Sequence, residues 1–171
     1  MPKKHTYVIT STAGLNLGGG AGLVGVGVQG VGVTIWNRAS PKWSADYMMT
    51  GVSAGVGKAR VDIAQIWSSS SEFESDLPSA TMFYGAVHCE ESSASAGVGY
   101  GYQRMVWVSG PARGDVVEGT GWSLKISLGV TIAQSSMLNL KYVGTSSPQS
   151  RNAVKYDYHR PPVQYRSDPR R

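Results

Sequence analysis

From Gly18 to Trp36, valine and glycine alternate along the chain with a period of two, the period of an extended strand. Val24, Val26 and Val28 share one face. At Gln29-Gly30 the phase slips by one residue, and Val31, Val33 and Ile35 carry the apolar side from there on. A slip in a period-two pattern inverts every side chain that follows it. It therefore predicts either a tight hairpin at Gln29-Gly30 or one long strand bent by a bulge. Nine glycines lie between Gly14 and Gly32. Glycine weakens a strand interior, so this density implies strong bending or close approach by a neighbour, as in a small barrel.

The same alternation continues downstream. His5 to Thr10 reads as a first strand, and Val52, Ala54 and Val56 oppose Gly51, Ser53 and Gly55. Val61 to Trp67 fits a strand or a short helix. Ser68 to Ser79, with Glu72, Glu74 and Asp76, reads as a polar acidic loop. Strands are expected at Thr81 to Cys89, at Ala94 to Val108 and around Leu138, Leu140 and Tyr142. From Gly121 to Ile132 the clearest alternation sends Trp122, Leu124 and Ile126 inward. The word Ser53-Ala-Gly-Val-Gly57 recurs as Ser95-Ala-Gly-Val-Gly99, which invites a two-fold arrangement. The expected fold is all-β: a compact antiparallel β-barrel or two-sheet sandwich of about eight glycine-rich strands.

Charge changes the picture at the C-terminus. Residues 1–143 carry ten Lys/Arg against nine Asp/Glu, while residues 144–171 carry six against two. The net charge of +5 thus resides mostly in the tail. The chain divides into a single β domain, 1–143, and a Pro/Arg/Tyr-rich tail, 144–171, expected to be extended or disordered. The tail's Arg151, Lys155, Arg160, Arg166, Arg170 and Arg171 could meet phosphates, although basic tails more often solubilise or dock a partner, and nucleic acid ranks low. One cysteine excludes an internal disulfide. The N-terminus lacks the pattern of a cleaved signal peptide, so a cytoplasmic protein, or one exported without a cleaved signal, is expected.

Candidate chemistry is sparse. His88-Cys89-Glu90 sets a thiol beside an imidazole and a carboxylate, the ingredients of a small hydrolase. In a strand, however, His88 and Cys89 point to opposite faces, while His88 and Glu90 share one. Glu72, Glu74 and Asp76 could gather around a cation, but their spacing matches no known loop, and no zinc motif is present. No cofactor signature stands out. Trp36, Trp43, Trp67, Tyr100 and Tyr102 are the aromatic candidates for a binding surface near strand ends.

These features favour a non-enzymatic binding module, of effector type, whose barrel surface or mouth meets a protein partner or a small apolar or glycan ligand. The alternative is a membrane-inserting or pore-forming protein that uses Val24, Val26, Val28, Val31 and Val33, since no charged side chain occurs between Thr6 and Asn37.

Overall fold

The computed structural model describes residues 4–21, 24–57, 62–66, 70–95, 97–125 and 131–147. It contains nine strands: β1 (His5–Ala21), β2 (Val24–Asn37), β3 (Ser44–Gly57), β4 (Asp62–Ile66), β5 (Ser70–Ser75), β6 (Gly85–Ser95), β7 (Gly97–Trp107), β8 (Val116–Lys125) and β9 (Thr131–Ser146). One turn of 3-10 helix, Ala80–Met82, follows β5. The acidic segment expected to be a loop is therefore largely strand β5, and the segment that also fitted a helix forms β4. Both pair with the long β1, β5 along His5–Thr10 and β4 along Ala13–Asn16. The domain's last strand runs to Ser146, past the boundary expected at 143. The basic tail residues Arg151 to Arg171 lie outside the described residues.

All pairings are antiparallel, in the order β4/β5-β1-β2-β3-β9-β6-β7-β8. With β4 and β5 acting as two pieces of one strand, this is an eight-stranded sheet nearly closed into a barrel. Strand β8 returns to lie against β4 and β5. At this seam Gly119 sits so close to Ser71 that a Cβ at position 119 would collide with it, a reason for glycine there.

The closure sets the tilt. The row starting at Gly20 on β1 passes through Gly25, Gly55, Gln134, Glu91 and Gln103 to Gly119. Its neighbour across the seam, Ser71, pairs with Ile9. One circuit thus descends β1 from Gly20 to Ile9, about ten residues once the bulge between Ser11 and Gly14 is discounted, and gives a tilt of roughly 40°.

The sequence's phase slip has a different cause from either one expected. The β2–β3 ladder runs from Val24 to Ile35 with no shift of register, so Gln29-Gly30 is neither a hairpin nor a bulge. The strand continues straight and its apolar side chains change faces. Val31, Val33 and Ile35 enter the barrel, whereas Val26 and Val28 stand outside it. Strand β3 repeats the switch: Tyr47 and Met49 are buried, and Val52 and Ala54 are exposed. Register shifts lie elsewhere, in β1 between Ser11 and Gly14, in the β3–β9 ladder at Asp46/Tyr47 and Val56/Gly57, and in β6 between Ser92 and Ser95.

The barrel consequently has two unlike halves. In one, the packed end, Tyr7, Phe73, Phe83 and Trp107 pack together with Val33, Ile35, Tyr47, Val87, Leu138 and Leu140. The segment after β5 closes this end: Tyr7 donates a hydrogen bond to the carbonyl of Leu77 (2.6 Å), Tyr47 to that of Ala80 (2.5 Å) and the indole N–H of Trp107 to that of Phe83 (3.2 Å). The other half, the distal end, is built from the glycine-rich parts of β1, β2, β3, β7 and β8.

Candidate functional site: an inverted distal half

In the distal half the usual distribution of polar and apolar side chains is reversed. Gln29, Ser53, Glu91, Gln134 and Ser136 point into the barrel and are buried. Three of them are linked: Gln134 Nε2 donates to Ser136 Oγ (3.3 Å), and Ser136 donates to Gln29 Oε1 (3.0 Å). Asn16 stands opposite Gln29 in the β1–β2 ladder, and Asp62 stands opposite Asn16. Outside, Val26 is 67% exposed, Val28 64% and Val52 63%, with Met137 alongside. Val28, Val52, Met137 and His88 occupy successive positions of one row, and Val26, Val28, Val52, Ala54, His88 and Met137 line a shallow depression on the outer wall.

The ladders continue on either side of this wall. Leu17 lies opposite Val28 on β1. On the far side, the β7–β8 ladder is continuous from Val106 to Gly97. Glu118 and Tyr102 are exposed, and the ladder pairs Tyr102 with Thr120 and Tyr100 with Trp122.

Charged side chains bound this apolar belt. Glu90, Arg104 and Glu118 share the row of Val26. Because rows descend toward the packed end on going from β2 to β8, five strand steps at about 4.8 Å and roughly 40° of tilt set Glu118 about 15 Å nearer that end than Val26. Arg104 bridges the two carboxylates, at 3.6 Å from Glu90 and 3.1 Å from Glu118. Among the described side chains of the outer wall above them, Ser92 and Ser135 are polar and none is charged. From Gly30 to Val24 the belt spans seven residues, six steps and so about 15 Å along the axis at 3.3 Å per residue and this tilt.

The sequence candidates divide accordingly. Val26 and Val28 lie in the belt, while Val31 and Val33 belong to the core of the packed half; Val24 pairs with Val56 near the distal tips. Tyr102 stands at the belt's edge and Tyr100 is paired with Trp122. Trp36 and Trp43 lie at the packed end, far from the tyrosines, and Trp67 is outside the described residues. No common aromatic mouth unites them. The sequence does contain the signal for Gln29, Gln134 and Ser136, whose parity is that of the core, but polar residues on an alternating strand read as solvent-facing.

The thiol chemistry finds no support. Cys89 is buried inside the barrel, and burial, aided by Glu91, pushes its thiol up to about 12. His88 points outward, with Nε2 at 2.8 Å from Ser135 Oγ and Nδ1 at 4.0 Å from Glu90. The imidazole and the thiol thus stand on opposite faces of β6. Glu72 and Glu74 form ion pairs with Arg38 (2.6 Å) and Lys4 (3.4 Å), and no cluster able to hold a metal occurs among the described residues. No helix among them is long and apolar enough to cross a membrane. No family model, curated protein or solved structure matches this chain.

Proposed function

We propose that this protein is a non-enzymatic binding module whose partner is a lipid bilayer, which the distal half of the barrel enters with its apolar belt. The carrying observation is the exchange of faces at Gln29-Gly30 and at Thr50-Gly51 without a change of register. A strand that crosses from water into hydrocarbon must turn its apolar side chains outward while its backbone remains paired. Barrels meet that demand by pairing their strands with one another; here the ladders run from β4/β5 to β8, and β8 lies against β4 and β5.

A folded protein partner fits less well. A protein partner would need a surface shaped to the exposed Val26, Val28, Val52 and Met137, which spread over β2, β3 and β9. A fluid apolar phase meets all of them at once. The belt's depth of about 15 Å matches one leaflet of a hydrocarbon core roughly 30 Å thick. Flotation with phosphatidylcholine vesicles tests the reading: the protein should rise with the lipid, and Val26→Asp should remain below, as folded as the parent. A parent protein that never floats would remove the proposal.

A further inference from the structure

We infer that the inserted barrel is a sealed anchor that holds its packed end at the membrane surface without opening a path for solutes; this rests on the membrane reading above. Three observations lead to it. First, an eight-stranded barrel is only wide enough for its own side chains. The residues at the junction of the two halves, among them Gln29, Gln103, Val31 and Met105, enclose a space of about 40 Å³, room for a few waters and no more.

Second, the packed end is closed by covalently attached aromatic side chains. Tyr7 meets Phe83 edge-on with ring centroids 4.8 Å apart, and Phe73 stacks on Trp107 at 5.5 Å. The backbone of the closing segment is tied to the wall by the hydrogen bonds from Tyr7, Tyr47 and Trp107. A water file along the axis would have to break this cluster, whose members are almost wholly buried.

Third, the same cluster fastens the seam. Phe73 belongs to β5 on one side of the closure, and Trp107 ends β7, the strand next to β8 on the other. Their stacking resists the parting of β8 from β5 that joining copies edge to edge into a wider ring would require. Strand β1 also begins, and β9 ends, at this end, on the side away from the bilayer.

The test uses the full chain and phosphatidylcholine vesicles loaded with a self-quenching dye, with flotation and release read on the same sample. Flotation with the dye retained at every protein-to-lipid ratio is the expected result. Flotation accompanied by release overturns the sealed anchor while leaving membrane binding intact. Absence of flotation overturns both. A second variant locks the seam: Ser71→Cys with Gly119→Cys, in a Cys89→Ala background, oxidised to an intramolecular disulfide. The locked protein should float as the reduced one does; loss of flotation on oxidation, restored by reductant, would show that the barrel must open to insert and would refute the inference.

Discussion

Val28 and Gln29 are neighbours in one unbroken strand, yet the valine is 64% exposed on the outer wall and the glutamine, 7% exposed, accepts a hydrogen bond from Ser136 inside the barrel. In a barrel that stays in water throughout, burial of the apolar neighbour and hydration of the polar one would be favoured at about 25 cal/mol per Å² of apolar surface. The inverted arrangement is favourable where the outside is apolar.

This arrangement reverses the ordinary cost of substitution. Gln29→Ala leaves the inward hydroxyl of Ser136 without its acceptor and should cost about 1–3 kcal/mol, whereas Val28→Thr, exposed and β-branched, should stay within about 0.5 kcal/mol. Urea denaturation in the absence of lipid measures both. Equal costs, or a greater cost at Val28, would mean that Val28 is covered in the soluble protein.

Two glycines facing one another's strands separate by their surroundings. A Cβ at Gly51 would run into the backbone carbonyl of Met137 on the adjoining strand, while at Gly30 nothing lies within 4 Å. Gly51→Ala should therefore destabilise by several times the change seen for Gly30→Ala, which stays near or above the parent because alanine lowers the entropy of the unfolded chain. Thermal melting of the two variants compares them directly.

Much of the architecture is legible in the sequence because strand alternation depends on local parity alone. Seven of the nine strands follow from it, and the separation of His88 from Cys89 follows from the same rule. What parity cannot supply is which face is inside. The slip at Gln29-Gly30 looks like a turn because a turn is the usual remedy when both halves of a strand share one core. Here the halves meet different surroundings, and only the unshifted ladder to Thr50-Gly51 reveals it. Strand β5 is hidden because Glu72 and Glu74 alternate outward around the single buried Phe73, a pattern that resembles an acidic loop.

Alkaline conditions should weaken the fold through groups buried in their neutral form. Burial pushes the Cys89 thiol from its ordinary 9 to about 12 and raises the Tyr47 phenol well above 10. Above pH 9 the unfolded chain releases protons that the folded one retains, so stability is full below that pH and declines as pH rises toward 12. Denaturation midpoints across pH 8–11 should fall steadily, and Cys89→Ala should flatten the lower part of that decline. Thiol reagents at pH 8 should modify Cys89 only as fast as the barrel opens.

The most direct measurement compares outward positions that are equally wet in solution. Single cysteines at Val26, Val28, Val52 and Met137 in the belt, and at Met48 and Val143 at the packed end, all exposed, would carry an environment-sensitive fluorophore in a Cys89→Ala background. With vesicles containing lipid-attached quencher, the four belt positions should shift to the blue and be quenched, most strongly at Val26, while Met48 and Val143 remain as in buffer. Unchanged emission at Val26 and Val28, or quenching as strong at Met48 and Val143, would contradict insertion by the distal half.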